Sequence, residues 1–357
     1  MAGAAAGRGR DRVDRPVSGG RRDGRRPRLG PCYARTVDRH RLVGVVIVLV
    51  SAASFGSGGL FAQPVYAAGV DWLTLLAWRF LIGSSLAWIW LLSSSQRRAG
   101  LRRLPRRRVV AALALGVLYL GNSGTYYASI ETVPVSLAAL IVYIYPPVVA
   151  VLSLRVGQPL VGRRPWIALG LALTGVVLAL GGIPTGSMPP TLGLVLIIAS
   201  PLIYAVWIVL SARLSGERTD RLGEATDDGA SPAAATALMM TATALGFWAL
   251  ALATEHPVLP AQVPSEAWPG ILGVGVVATF IAIQTFYAGA RRVGAAQASL
   301  ISTFEPVWTI TLAAILFGET LGPIQLVGGA LVIGGVLLAQ AAPPSLGRGV
   351  TLRVADE

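Results

Sequence analysis

The chain of 357 residues contains few of the residue types that build disulfides, metal sites and hydrolytic active sites. It has one cysteine, Cys32, so an intrachain disulfide and a thiolate metal site are both excluded. Its two histidines, His40 and His256, lie in an Arg-rich tail and in a Pro-rich loop, which argues against zinc and His-based catalysis. We therefore predict no metal, no cofactor and no catalytic residue, and expect that the chain is not an enzyme.

Charged residues are also scarce. They make up 13% of the chain, whereas 54% of residues are hydrophobic and the mean hydropathy is +0.64. This composition excludes an ordinary soluble domain and indicates a membrane protein. Lysine is absent, so all 30 basic residues are arginine. The net charge of +13 would suit nucleic acid, but the positions of the arginines favour a membrane instead.

Ten apolar segments are each about as long as the ~20 residues that a helix needs to cross the hydrocarbon core. They run approximately from Leu42 to Phe61, Leu73 to Ser93, Val109 to Ser129, Val135 to Leu154, Trp166 to Ile183, Leu192 to Ala212, Ala233 to Ala253, Gly270 to Gly289, Ala295 to Phe317 and Ile324 to Ala342. The sequence therefore predicts an all-α integral membrane protein with ten transmembrane helices.

The arginines predict the orientation of these helices. Of the 30, 29 lie in the N-terminal tail, in alternate loops or in the C-terminal tail, and the other five loops contain none. By the positive-inside rule we expect a multi-pass protein of the cytoplasmic membrane with both termini cytoplasmic. We interpret residues 1–41 as a disordered tail that faces lipid headgroups rather than nucleic acid, and residues 343–357 as a cytoplasmic tail. A twin-arginine export signal is a weaker alternative.

The chain contains an internal repeat. TYYASIETVPVSLAALIVYIYP, from Thr125 to Pro146, matches TFYAGARRVGAAQASLISTFEP, from Thr285 to Pro306, without gaps at an offset of 160. We predict two five-helix repeats, residues 42–183 and 184–342. Because five is odd, the second repeat must cross the membrane in the opposite sense, and Glu131 in an outer loop then corresponds to Arg291 in an inner one. Inverted repeats are typical of carriers that work by alternating access.

Three stretches resemble a known family: AWRFLIG, YYASIETVPVSLAALIVYIYPPVVAVLS and SLISTFEPVWTITLAAILFGETLGPIQLVGGALVIGGVLLA. They are similar to the two EamA domains of the drug/metabolite transporter superfamily, and the likeness covers nearly all of Leu42 to Gln340. The second domain keeps the Gly-Glu-x-Leu element at Gly318 to Leu321, whereas Gly157 to Leu160 of the first domain has Gln158 in place of the acid. The resemblance implies a ten-helix secondary carrier that typically exports amino acids, other small metabolites or drug-like compounds, with the first four helices of each half lining a cavity.

Two ionisable groups are predicted deep in the membrane. Glu305 lies ~16 Å from the inner end of its segment and Arg79 ~10 Å from the outer end of its own. In the functional interpretation, Glu305 binds an amine or a proton, and Arg79 is its counter-ion or anchors a substrate carboxylate. In the structural one, Glu305 accepts hydrogen bonds from backbone freed by Pro306, and Arg79 caps carbonyl groups or reaches outward. We favour function for Glu305 and leave both readings open for Arg79.

Prolines and cavity-lining side chains complete the candidate site. Pro146 and Pro306 occupy equivalent places in the repeats, so we predict hinges there, with tolerated bending as the alternative. Polar and aromatic candidates for the cavity are Tyr143, Trp207, Gln284, Trp308 and Asn122. Tyr and Trp near helix ends are alternatively interfacial anchors.

Small-residue ladders, LGLALTGVV and GGALVIGG, are typical of close helix packing, either within the chain or in a homodimer. Together these patterns predict a secondary transporter that moves small metabolites, such as amino acids, amines or drug-like compounds, across the lipid bilayer. Efflux is the favoured direction, with proton coupling as one option, and uptake is the alternative. A non-transporting membrane protein, such as a receptor or scaffold, is a remote alternative. Such a protein would be expected to carry a folded soluble module, and no segment has a composition typical of one. We expect no nucleic-acid partner.

Overall fold

The structure, a computed structural model, describes residues 31–154, 163–181, 188–215, 232–293, 298 and 301–340. Arg39 ends the first of two compact units, of which only residues 31–39 are described, and these are helical. All that follows concerns the second unit, His40–Glu357. The element around Gln158, the C-terminal tail and residues 1–30 of the N-terminal tail lie outside the described residues.

The described residues fold into helices and contain no strand. The helices are α1 (Pro31–Gly56), α2 (Gly58–Ala67), α3 (Trp72–Leu92), α4 (Ser95–Arg102), α5 (Arg106–Ser129), α6 (Val135–Val142), α7 (Tyr145–Leu154), α8 (Arg164–Gly181), α9 (Thr191–Ser215), α10 (Pro232–Ala253), α11 (Trp268–Leu272), a π-helical stretch (Gly273–Ile281), α12 (Ala282–Val293), α13 (Phe304–Phe317) and α14 (Pro323–Gln340). Short 3-10 turns at Pro260–Gln262 and Ser265–Ala267 precede α11.

Six stretches of the described helices are long and apolar enough to cross a membrane. They are Leu42–Ala67, Trp72–Leu92, Arg106–Ser129, Thr191–Ser211, Ala233–Ala253 and Ser265–Ala290. Four shorter apolar helices are Val135–Val149, Trp166–Leu180, Phe304–Phe317 and Pro323–Leu338. Each of these stretches overlaps one of the predicted apolar segments, which confirms an all-helical, multi-pass membrane protein.

Local sequence explains where α3 begins and where α13 ends. Asp71 is the N-cap of α3, and its side chain accepts hydrogen bonds from the backbone N–H groups of Leu73 and Thr74 at 2.8 and 3.0 Å. Such a cap stabilises a helix by about 1 kcal/mol. Helix α13 ends at Phe317, and its C-cap residue, Gly318, has a φ of +66°, a left-handed conformation that favours glycine.

The core forms where α3 packs against α10 and the π-helical stretch, and where α5 packs against α9 and α10. Its largest fully buried side chains include Leu75, Phe80, Ile141 and Phe247. Helices α8 and α14 form a second close pair.

The two small-residue ladders pack against each other within the chain. A Cβ atom at Gly175 would lie 2.5 Å from the carbonyl oxygen of Gly328, and one at Gly335 would lie 2.6 Å from the carbonyl oxygen of Ala168. Glycine therefore lets the backbones of α8 and α14 approach closely. These contacts are used inside the chain, so a homodimer, which stays a prediction, would need a different face.

Candidate functional site

Two helices are interrupted at equivalent places of the predicted repeats. Helix α6 ends at Val142 and α7 begins at Tyr145, while α13 begins directly after Thr303. Positions 143 and 303 differ by the repeat offset of 160. The sequence predicted Pro146 and Pro306 inside helices, but each lies in the first turn of a new helix, where the missing N–H breaks no intrahelical bond. The interruptions therefore come just before the prolines, and hinge motion stays a prediction.

Glu305 lies in the first turn of α13, where the helix dipole favours a negative charge. Its Oε2 accepts a hydrogen bond of 2.9 Å from the hydroxyl of Tyr143, which comes from the other predicted repeat. The same hydroxyl lies 2.9 Å from the carbonyl oxygen of Ser302. Among the described residues no backbone N–H donates to the Glu305 carboxylate, so its partner is a side chain rather than backbone freed by a kink. The carboxylate thus lies where the two repeats meet.

α13 is also fixed to the first repeat beside this carboxylate. The hydroxyl of Thr309 donates to the carbonyl oxygen of Gly56 at 2.9 Å, and the indole N–H of Trp308 donates to the hydroxyl oxygen of Ser57 at 3.0 Å. Gly56 and Ser57 lie at the junction of α1 and α2. The helix that carries Glu305 therefore packs against a second helix junction.

A continuous row of aromatic rings begins at the partner of Glu305 and ends beside Arg79. It runs through Tyr143, Tyr145, Tyr204, Trp207, Tyr119 and Phe80, with centroid distances of 5.9, 4.8, 5.7, 5.4 and 5.9 Å in that order. The hydroxyls of Tyr119, Tyr145 and Tyr204 form no hydrogen bond with any described residue. Rings with a few polar groups are typical of a small-molecule site.

Arg79 is 7% exposed and lies at the Phe80 end of this row. Its Nε donates a hydrogen bond of 2.8 Å to the hydroxyl oxygen of Thr279, and its guanidinium carbon lies 4.7 Å from the ring centre of Tyr127. The ring of Phe80 is 4.9 Å away. Within the described part of the chain, Arg79 forms no ion pair with Glu305 or another acid. The structure therefore gives no support to the counter-ion role.

Thr279 connects Arg79 to the π-helical stretch. Its hydroxyl donates to the carbonyl oxygen of Val274 at 2.9 Å, five residues earlier, within Gly273–Ile281. π-helical turns are frequent at functional sites. The bond to Val274 orients the Thr279 hydroxyl, whose oxygen accepts the hydrogen bond from Arg79 Nε.

The remaining candidates lie at different distances from this arrangement. Trp207 belongs to the aromatic row, and its indole N–H donates to the carbonyl oxygen of Leu115 at 3.0 Å. Asn122 is buried, and its Oδ1 accepts from the hydroxyl of Ser200 at 3.1 Å, a contact that joins α5 to α9. Gln284 is half-buried on α12 and forms no hydrogen bond with a described residue. Glu305 and Tyr143 are therefore in contact and Trp308 lies on the same helix as Glu305, whereas Trp207 is linked to them only through the rings of Tyr145 and Tyr204, and Asn122 serves helix packing.

Two residues of the arrangement, Tyr119 and Thr279, were not predicted. They occupy equivalent positions, since 279 minus 119 equals the offset of 160, and both lie beside the Arg79–Phe80 pair. Extending the repeat alignment upstream of Thr125 would have found them.

A sequence model of the EamA-like transporter family matches residues 42–181 and 191–340. The chain belongs to this family. Among its relatives, an uncharacterized transporter of Archaeoglobus fulgidus is 28% identical over 296 residues, which are 83% of this chain and 96% of the relative. The threonine/homoserine exporter RhtA of Escherichia coli is 26% identical over 319 residues, or 87% of this chain and 92% of the exporter.

The fold has a counterpart among solved structures. A crystal structure superposes on this EamA-family chain with a TM-score of 0.57 at 19% identity, covering 84% of this chain and 97% of the other. At that identity the likeness concerns the fold alone. The named relatives are transporters rather than enzymes, which supports a general transporter role for this EamA-family protein.

Proposed function

We propose that this chain is a secondary transporter that exports small metabolites, such as amino acids, amines or drug-like compounds, across the cytoplasmic membrane. The observation that carries the proposal is the bond between Tyr143 and Glu305 at the helix interruption. An acid inside the membrane is costly and is therefore functional by default. The export direction is supported by the relative that is named an exporter.

The proposed topology has ten spans, arranged as two inverted repeats with both termini in the cytoplasm. Six long and four shorter apolar helices supply the ten spans. The alternation of Arg-bearing and Arg-free loops supports the orientation. Matching interruptions before Pro146 and Pro306 are expected of inverted repeats that surround a shared binding site.

In the proposed mechanism, Glu305 binds the ammonium group of a solute or a proton from solution. Either ligand neutralises the carboxylate, so the site can then pass through a closed state without a buried, unpaired charge. The rings and free hydroxyls of Tyr145 and Tyr204 contact the rest of the solute. Opening to the other side exposes Glu305 to a different solution, where the ligand dissociates.

Arg79 provides the second charge of the proposed site. Its guanidinium, which lies against the rings of Phe80 and Tyr127 and has no acid as a partner among the described residues, would bind a solute carboxylate. A role limited to packing α3 against the π-helical stretch is the alternative, and the bond to Thr279 is consistent with it. Transport of solutes with and without a carboxylate distinguishes these two roles. If Arg79 binds the solute carboxylate, Arg79→Lys should reduce transport of solutes with a carboxylate more than transport of solutes without one, whereas a packing role predicts no such preference.

Counterflow in proteoliposomes tests the proposal, with a panel of amino acids, amines and cationic dyes. We expect Glu305→Gln to lower the transport rate about tenfold or more and to flatten its pH dependence, because a charged hydrogen-bonding group is lost. Glu266→Gln is the matched control, since this acid lies in a 3-10 turn away from the site. An unchanged rate and pH dependence in Glu305→Gln, with a confirmed substrate, would rule out the role given to Glu305.

A further inference from the structure

A crevice with a volume of about 720 Å³ opens between α5, α9 and α10, and neither Glu305 nor Tyr143 lines it. Its wall is mostly apolar and includes Leu120, Gly121, Leu192, Leu196 and Leu250. Leu192 is 69% exposed and Leu250 44%, so the crevice opens on the surface that faces lipid. Its volume lies in the range of about 300–1,000 Å³ that is typical of small-molecule sites.

One charged side chain, Glu131, lines this crevice, with Thr125 and Thr132 as the polar neighbours. Oε1 of Glu131 accepts a hydrogen bond of 2.6 Å from the backbone N–H of Trp72, and Oε2 has no partner among the described residues. Partial burial raises the pKa of the Glu131 carboxyl above its ordinary value, and Asp71 adds to this effect, although the N–H of Trp72 opposes it. The side chain of Glu131 is nevertheless exposed, and among the described residues it forms no ion pair with a cation.

The loops on the same side of the proposed topology lack Arg and Lys altogether. They are residues 68–71, 130–134, 182–190, 254–267 and 318–322. Their one basic side chain, His256, has its Nε2 3.8 Å from Oδ1 of Asp71, and no ion pair joins it to Glu131 in the described part of the chain. A cation at the mouth of the crevice would therefore have to come from a ligand.

One wall of the crevice also contacts the aromatic row. Phe247 lines the crevice and stacks on Phe80, with ring centres 5.5 Å apart and an interplanar angle of 14°. Phe80 in turn contacts Tyr119 of the row. The ring of Phe247 therefore separates the crevice from the candidate site.

We infer that this crevice binds hydrophobic ammonium compounds, with the ammonium group at Glu131 and the apolar part along α5, α9 and α10. A lipid chain alone would fill the apolar wall but leave the carboxylate without a counter-charge. An ammonium amphiphile covers the apolar wall with its chain and supplies a positive charge to the Glu131 carboxylate. The placement in the outer half of the bilayer rests on the topology proposed above, whereas binding itself requires neither that topology nor transport.

Photolabelling of the purified full-length chain in dodecyl maltoside micelles, which contain no ammonium group, tests the inference. One probe is a dodecylammonium with a benzophenone at the end of its chain, and the other is the matched neutral alcohol. We expect saturable labelling by the ammonium probe within residues 120–132, 192–196 or 246–250, located by mass spectrometry. The alcohol should label these segments about fivefold more weakly, as expected for one partly exposed charge contact. Equal labelling by both probes would show a lipid-chain crevice only and would overturn the inference.

Variants provide a second line of evidence. Glu131→Gln should weaken labelling by the ammonium probe about fivefold and leave the alcohol unaffected. Gly121→Leu should block both probes, since a Cβ there meets only Ile203, at an ordinary 3.6 Å, and the rest of the side chain would fill the crevice. Gly170→Leu, with nothing within 4 Å of its Cβ, and Glu266→Gln are the controls.

The same experiment separates this inference from the proposed function. Glu305→Gln should lower transport about tenfold or more yet leave labelling of the crevice unchanged, because Glu305 does not line it. Thermal unfolding of each variant shows whether it is folded. The comparison of the two probes uses the unsubstituted protein, so it decides the question even if a variant fails to fold. Labelling outside these three segments would also overturn the inference.

Discussion

At the residue scale, the site depends on one hydroxyl. Tyr143 supplies the one hydrogen bond that the Glu305 carboxylate receives from the described residues. Tyr143 is 4% exposed, so water cannot readily replace it. A buried carboxylate without donors is strongly disfavoured, and hydrogen bonds to charged groups are worth about 1.5–3 kcal/mol. The position of the Glu305 carboxylate should therefore be sensitive to Tyr143.

Tyr143→Phe removes this donor and keeps the ring. We expect transport to fall about tenfold and the free energy of unfolding to decrease by about 1 kcal/mol, because the carboxylate loses its partner. Counterflow and thermal unfolding measure the two effects. Tyr66→Phe is the control, since the hydroxyl of Tyr66 donates to the carbonyl oxygen of Tyr127 at 2.9 Å, away from Glu305. Equal transport by Tyr143→Phe and the unsubstituted chain would contradict the role of the bond.

Sequence alone could identify these residues but not their pairing. Glu305 is recognisable because an acid interrupts an apolar segment, and Tyr143 is recognisable as a polar aromatic residue in another. The two lie 162 positions apart, so their contact depends on how the halves pack. Thr279 gave no compositional signal, because a threonine inside an apolar helix usually bonds its own backbone.

At the scale of elements, Glu319 explains part of the Gly-Glu-x-Leu motif. Its two carboxylate oxygens accept hydrogen bonds from the backbone N–H groups of Val135 and Ser136, at 3.1 and 2.9 Å. Val135 and Ser136 are the first two residues of α6 in the other repeat. Pro134, the N-cap residue of α6, provides no side-chain hydrogen bond to the helix. A carboxylate at a helix N-terminus satisfies free donors and complements the dipole. The acid therefore joins the end of α13 to the start of α6.

Glu319→Gln should weaken this cap but not abolish it, since an amide oxygen still accepts one bond. We expect the free energy of unfolding to fall by about 1 kcal/mol, and by about 2 kcal/mol for Glu319→Ala. Thermal unfolding in detergent provides the measurement. Glu266→Gln is the control for the loss of an acid, since Glu266 and Glu319 lie on the same side of the membrane in the proposed topology. Identical unfolding of Glu319→Ala and the parent chain would show that the cap contributes nothing.

The close pair of α8 and α14 allows a matched glycine test. Gly175→Ala places a Cβ 2.5 Å from the carbonyl oxygen of Gly328, so the helices must separate. We expect a loss of about 1–3 kcal/mol in the free energy of unfolding, as for other overpacked sites. Gly170→Ala, on the same helix with open space around its Cβ, should be neutral or stabilising by up to about 1 kcal/mol. Similar unfolding temperatures for the two variants would contradict close packing at Gly175.

Helix positions were largely predictable, but two irregularities were not. The apolar segments follow from length and hydropathy, whereas the helix interruptions follow from packing as well as from proline. Pro146 and Pro306 predicted a disturbance, yet α7 and α13 begin just before them, because proline is well tolerated in a first turn. The π-helical stretch Gly273–Ile281 has the composition of an ordinary apolar helix, so nothing in the pattern marks it.

At the scale of the whole molecule, the two repeats are joined by several polar contacts besides the one at Glu305. The hydroxyl of Ser51 in α1 donates to the carbonyl oxygen of Ala282 at 2.7 Å, and Glu319 caps α6. Such contacts between repeats must break and reform if the halves exchange conformations. Their distribution is thus consistent with the proposed alternating access, which requires that the repeats have opposite orientations.

If the repeats have opposite orientations, equivalent residues of the two repeats should lie on opposite sides of the membrane. Thr132 and Arg292 differ by the repeat offset of 160, and both side chains are exposed. In an inverted pair, Thr132→Cys should react with a membrane-impermeant maleimide on intact cells, and Arg292→Cys only after permeabilisation. Cys32 is the one native cysteine, so Cys32→Ser gives a cysteine-free background.

A second pair extends the test beyond the aligned segments. Leu259→Cys should react on intact cells, since its loop lacks arginine, and Arg103→Cys should be protected, since it lies among seven arginines between residues 97 and 108. The charge rule predicts sidedness from loops, whereas the repeat offset predicts it from internal symmetry, so agreement of the two pairs tests independent arguments. If Thr132→Cys and Arg292→Cys reacted from the same side, the repeats would be parallel, and a shared site between inverted halves would no longer explain the matching interruptions before Pro146 and Pro306.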